Sequence, residues 1–278
     1  MEPGESRSGG FLAEMPRTRS RRSWATQLIG TIGCLLALGE SILPALSCFA
    51  GVRHFTYVYE APTTPAGTID FENWVTWQRF SNPARLDEIA FRHEIEFGIT
   101  EKFQASIYLA DWFYARAKES SGVTYSDSAL EFIYNLSNPV IDPVGLSIYQ
   151  EFRGGDRVFE WESKLIAQKN FGPLILAYNA TLEAVWEGKG LAERSSELQQ
   201  AIGLSYEISP RISVGLELLH EFLLPEWRDD ETIRNLFVGP NVSYRRGSWF
   251  VTVTALAQAT NTRSEADFQT RTIAGFAF

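Results

Sequence analysis

Alternation of apolar and polar residues, carried through strand after strand, restricts this chain to an all-β fold whose strands each have one greasy and one polar face. The clearest copy runs from Ile89 to Tyr114. Ile89, Phe91, Ile95, Phe97 and Ile99 are apolar at every second place, broken only by His93, and Ala90, Arg92, Glu94, Glu96 and Gly98 stand between them. Thr100-Glu101-Lys102 makes a tight turn, after which Phe103, Ala105, Ile107 and Leu109 resume the pattern. A period of two is that of an extended strand whose side chains point alternately to opposite faces. The pattern predicts twelve strands, at approximately 68–79, 87–99, 103–115, 123–136, 144–153, 157–168, 174–187, 196–208, 212–223, 234–245, 249–260 and 267–278.

Strand length and connector length decide which all-β fold this is. A strand and its connector take roughly 19 residues, enough for the ~9–11 residues a membrane strand needs. Soluble β-sandwiches repeat their strands about twice as densely. Short turns such as Ser209-Pro210-Arg211 and Arg246-Gly247-Ser248 alternate with longer polar loops such as 187–195 and 224–233. Short turns on one side and long loops on the other are the asymmetry of a transmembrane β-barrel. Residues 68–278 are therefore expected to form an antiparallel barrel in a bacterial outer membrane, contacting its lipid. Trp77, Tyr134, Trp186, Tyr206, Phe222, Tyr244 and Trp249 fall near strand ends, where aromatic girdles form. Phe276 and Phe278 close the last strand as the expected signal for the barrel-assembly machinery, with Ile273 where such signals often have glycine.

Residues 1–50 read as a signal peptide. Arg17, Arg19, Arg21 and Arg22 precede a short apolar stretch at Leu28 to Leu38, and Cys48-Phe49-Ala50 offers a cleavage site before Gly51. Met15 is an alternative start, and lipidation of Cys48 an alternative fate. Both cysteines, Cys34 and Cys48, lie in this leader, so the remainder has no thiol chemistry. Residues 51–67 are expected in the periplasm with a short extra strand from His54 to Tyr59, capping the barrel mouth or entering the lumen. The net charge of −9, with no basic patch, argues against nucleic acid as a partner.

With the apolar face outward, the other face points into the lumen. It gathers Asp70, Glu72, Glu88, Arg92, Glu94, Glu96, Glu131, Glu151, Glu160, Glu162, Lys164, Glu183, Glu197, Glu207, Glu217, Glu221, Arg245 and Arg271. Acids far outnumber bases, which suggests a narrow conduit or binding barrel for small solutes, favouring cations. A closed structural or interaction barrel is the alternative, since glutamates also serve as lumen filling. No catalytic residue is assigned. The Glu94/Glu96 and Glu160/Glu162 pairs suit glycosidase chemistry only weakly, because any half-polar strand yields them. A lipid-modifying enzyme would need a serine beside a lipid-facing histidine, and His93-Glu94-Ile95 and His220-Glu221-Phe222 lack one. With His54 these are the only histidines, and their dispersion gives no metal-ligand spacing, so neither metal nor cofactor is expected.

Two stretches carry a family resemblance. Tyr59-Glu60-Ala61-Pro62-Thr63-Thr64-Pro65-Ala66-Gly67, running into the strand Ile69 to Trp77, resembles the mature N-terminus of uncharacterised bacterial outer-membrane barrels. Arg92 to Phe103 resembles their "glutamate, aromatic, glycine, turn" hairpin. These barrels are similar to porin-like proteins of the MetA phenol-degradation pathway. The resemblance implies a fold and a membrane location, and it brings no catalytic motif.

Overall fold

The computed structural model describes residues 53–278 apart from 83–84, 118–120 and 231. The expected signal peptide, with its alternative start and its cysteines, lies outside the described residues. Twelve strands follow one another: β1 (Ile69–Phe80), β2 (Leu86–Thr100), β3 (Phe103–Ala117), β4 (Ser121–Ser137), β5 (Gly145–Gly155), β6 (Val158–Phe171), β7 (Leu174–Glu187), β8 (Glu193–Ser209), β9 (Ile212–Pro225), β10 (Ile233–Arg246), β11 (Trp249–Gln258) and β12 (Phe268–Ala277). Each pairs antiparallel with its neighbours in sequence, and β1 closes on β12, so the sheet is one closed barrel. Closure leaves no unpaired strand edge, as a spanning β-structure requires.

The distribution of polarity is inverted relative to a soluble protein. Leu130, Phe132, Leu176, Leu204 and Leu216 are exposed on the outside, whereas Glu94, Glu131, Glu151 and Glu217 are buried inside. Such an apolar exterior finds its low-energy environment in lipid. Tyr134, Tyr206, Tyr244 and Trp249 ring the short-turn end, and Trp77, Trp186 and Phe222 the long-loop end.

Residues 53–67 take the second of the two expected placements, the lumen, but without the expected strand. They enter from the short-turn end and circle the inner wall as an irregular belt. Irregular backbone at membrane depth must find its hydrogen bonds within the protein. Here the barrel's inward side chains supply them. The Arg53 carbonyl accepts from Thr252 of β11 and Ser243 of β10, and the His54 carbonyl from Asn241. Thr56, Tyr57 and Val58 donate three successive N–H groups to Glu217 of β9. Tyr59 exchanges two bonds with Asn179 of β7. Ala61 is held by Gln168, Ser147 and Asn135 of β6, β5 and β4, and Thr64 by Gln104 and Glu96 of β3 and β2. Glu207 of β8, Arg271 of β12 and Glu72 of β1 complete the circle through His54, the Thr56 carbonyl and Arg53. Every strand therefore contributes.

Apolar contacts seat the belt further. Phe55, Tyr57 and Val58 bury themselves against Ile175, Ala201, Leu219, Phe237 and Leu256. Fully burying side chains such as Phe55 and Val58 contributes about 1.5–3 kcal/mol each. Two wall positions must be glycine to let the belt lie this close. A Cβ on Gly98 would stand 2.0 Å from the Pro65 carbonyl oxygen, and one on Gly203 2.6 Å from the Phe55 ring.

Candidate functional site

The site is the lumen, whose inner wall the belt follows. Tyr59 reaches from the belt toward β3, β4, β5 and β6. Its hydroxyl lies 3.3 Å from that of Tyr108 on β3 and 3.4 Å from Glu131 on β4. Its ring meets Tyr149 of β5 edge-on at 5.0 Å, and the Lys164 ammonium of β6 stands 4.2 Å from its centre. On the short-turn side a vestibule of about 500 Å³ opens, lined by Arg53, Asp70, Glu72, Glu96 and Glu207 among others.

On the loop side the strand registers align five glutamates. Glu131 stands opposite Glu151, Glu151 opposite Glu162, Glu162 opposite Glu183, and Glu183 opposite Glu197, across β4 to β8. Among the described residues, bases pair with only two members of this row. Arg92 and Arg153 pair with Glu151 at 3.0 and 2.9 Å, and Lys164 with Glu162 at 2.8 Å. Glu131 accepts from Tyr108 and Ser106. Glu183 and Glu197 have no basic partner in salt-bridge range among the described residues.

The structure places the other sequence-derived lumen residues as follows. Glu72, Glu94 and Glu96 come together at the start of β1 and the end of β2, beside Arg53. Glu160 pairs with Arg153, Glu88 lies on β2, and Glu221 stands opposite Asn235 across β9 and β10. Glu217 holds the belt. Among the described residues, Arg271 has no carboxylate in salt-bridge range. It bonds Thr76 and the Thr56 carbonyl and stacks over Tyr57, 4.0 Å from the ring centre. Glu207 pairs with Arg245 at 3.3 Å.

Several participants escaped the sequence reading. Asp111 and Asp127 bind the same arginines as Glu151. A register shift between Tyr108 and Asp111 turns Asp111 inward, where simple alternation would turn it outward. Arg53 enters with the belt. Burial works against its charge, but the Glu72, Glu94 and Glu96 carboxylates outweigh burial and raise its pKa. Burial likewise opposes the charge on His54, and the Glu60 and Glu207 carboxylates again prevail, raising its pKa. On the outer face, His93 bonds Asn73 and accepts from the Trp112 indole, so its ring is satisfied without a serine.

Comparison with known proteins agrees with this architecture. The model of a family of unknown function (DUF6662) matches residues 47–272, and the chain belongs to that family. A search of curated proteins found no match. Among solved structures, the COG4313 outer membrane channel from Pseudomonas putida F1 is similar, with a TM-score of 0.59 at 10% identity over 79% of this chain and 98% of that one. The NanC porin is similar with a TM-score of 0.51 at 8% identity, over 75% and 98%. At such identities the likeness is one of fold: this chain has the fold of outer-membrane channels and porins. The matching family names no pathway, so phenol degradation rests on the sequence resemblance alone.

Proposed function

We propose that this member of DUF6662 is a porin-type barrel of the bacterial outer membrane, a conduit for small solutes that favours cations and is held shut by its own belt. The row Glu131, Glu151, Glu162, Glu183 and Glu197 carries this reading. Like charges directly opposed across a sheet cost stability. Filling a lumen does not demand them, since the opposite wall is filled by neutral groups such as Asn235, Thr252 and Thr254. A carboxylate row with three members that lack a basic partner among the described residues makes a negative field that draws cations and rejects anions. Passage then requires the belt to shift, because it runs around the inner wall and projects Tyr59 toward Tyr108, Glu131 and Tyr149. The solute is a small molecule, and the resemblance to phenol-degradation porins offers small aromatics as one class to try. Lipid would surround the apolar face, and the assembly machinery would read Phe276 and Phe278, both exposed on it. No enzymatic step is assigned to any residue.

Recording single channels in planar bilayers tests the reading. The intact chain should be mostly silent. Loosening the belt with Glu217→Gln should produce steps whose reversal potential in a KCl gradient reports cation preference, and Glu183→Gln with Glu197→Gln should weaken that preference. The full burial of Phe55 and Ala61 favours a second reading, a permanently closed structural or interaction barrel. Silence from the belt-loosened protein would select it.

A further inference from the structure

We propose that Glu72, Glu94 and Glu96 form a binding site for a hard divalent cation of the calcium type, with Arg53 as its tethered competitor. The three carboxylates are all buried, and one oxygen from each lies within 4.8 Å of the others. Two of them have partners. Glu72 accepts from the Trp74 indole at 2.9 Å and from Arg53 at 2.7 Å, and Glu96 accepts from Thr64 at 2.7 Å. Glu94 has none. It is 1% exposed, and neither of its oxygens has a hydrogen-bond partner. A buried polar group without a partner is costly, and a carboxylate more so than a neutral group. Glu94 also stands directly opposite Glu72 in the β1–β2 register, so repulsion adds to the desolvation. The Arg53 guanidinium offsets part of this, at 2.7 Å from Glu72 and 3.8 Å from Glu96, and makes no salt bridge with Glu94.

The donor set selects the ion. Three carboxylates with no nitrogen or sulfur suit calcium, magnesium or manganese rather than zinc or copper. Two oxygens bound to one calcium at ~2.3–2.6 Å can lie as much as ~5 Å apart, whereas magnesium at ~2.0–2.1 Å limits them to ~4.2 Å. Oxygens that lie within 4.8 Å of one another can reach one calcium without moving, whereas magnesium accepts the cluster only if it closes to ~4.2 Å. Glu72 and Glu96 also line the vestibule, which provides an entry path and water to complete the coordination. Because the guanidinium and the ion would neutralise the same oxygens, they exclude one another. Calcium binding would displace Arg53 and free the leading end of the belt.

Titration calorimetry on the chelator-stripped, detergent-solubilised barrel, with calcium chloride alone as the probe, tests the site directly. One calcium per chain is expected. Glu94→Gln, close to isosteric, should abolish it, and Arg53→Met should tighten binding about tenfold or more. Glu72→Gln is the second variant should Glu94→Gln fail to fold as a heat-modifiable barrel. Absence of binding in both the intact and Arg53→Met proteins overturns the proposal. So does calcium binding that survives both glutamine variants, or that weakens in Arg53→Met. The measurement does not depend on conduction: a silent barrel that binds calcium at Glu94 would remove the conduit and leave the site.

Discussion

Replacing Glu217 by glutamine should unseat the belt while leaving the barrel intact. Its Oε1 accepts from the Thr56 N–H at 3.0 Å, Asn241 at 3.0 Å and Thr254 at 2.5 Å, and its Oε2 from the Tyr57 and Val58 N–H groups at 2.7 and 3.1 Å. A glutamine retains one acceptor. Whichever oxygen becomes an amide nitrogen then faces at least two donors with a donor. Hydrogen bonds to a charged group contribute about 1.5–3 kcal/mol each, so two lost bonds amount to roughly 3–6 kcal/mol. At about 1.4 kcal/mol per factor of ten, local opening of the belt should become about a hundred- to ten-thousand-fold easier. The strand ladders of β9 and β10 are main-chain bonds and should not respond. Hydrogen exchange read by mass spectrometry separates the two, because protection of a segment reports the free energy of its own opening. Peptides covering 53–60 should lose protection while those of β9 and β10 keep theirs. Unchanged exchange at 53–60, or equal loss in the strands, would refute the assignment of Glu217 as the anchor.

Two further outcomes probe the belt at other points. Gly98→Ala places a Cβ against the Pro65 carbonyl, where main chain meets main chain and neither can yield, so docking should weaken by about 1–3 kcal/mol. Proteolytic cuts within 53–66 should appear in this variant, and resistance equal to the parent would count against it. His54 supplies a pH dependence. Its pKa in the fold is raised above 6.5 through Glu60 and Glu207, the latter shared with Arg245. The stabilisation is therefore complete below about 6.5 and is lost as the pH rises through the raised value. Belt protection, corrected for intrinsic exchange, should fall on the alkaline side and become flat in His54→Gln; an imidazole titrating at or below 6.5 by NMR would contradict this.

The barrel was legible because its signal is periodic. Each strand from β1 to β12 declares its two faces by alternation, and lipid on one side with polar contents on the other forces the assignment. Inward carboxylates such as Glu131 and Glu183 followed from the same rule. Their alignment into one row did not, because a row across five strands depends on register, which turns and bulges set. Asp111 was hidden by one such bulge. The belt was least visible. Its holders, among them Asn135, Ser147, Gln168 and Asn179, are neutral inward residues that look like any lumen filling, and each makes sense only beside a backbone lying across it. The His54 to Tyr59 stretch alternates like a strand, yet side chains rather than a neighbouring strand satisfy its backbone.

The belt's dependence on every strand has a consequence for the order of assembly. The segment that leads into the barrel in sequence must wait for nearly all of it in time. Arg53 is gripped by Ser243 and Thr252, about two hundred residues downstream. Contacts this distant in sequence form late, because their loop entropy is recovered only when intervening structure is in place. A sheet still open between β12 and β1 offers no complete track, so docking becomes the last event and registers that the wall has closed.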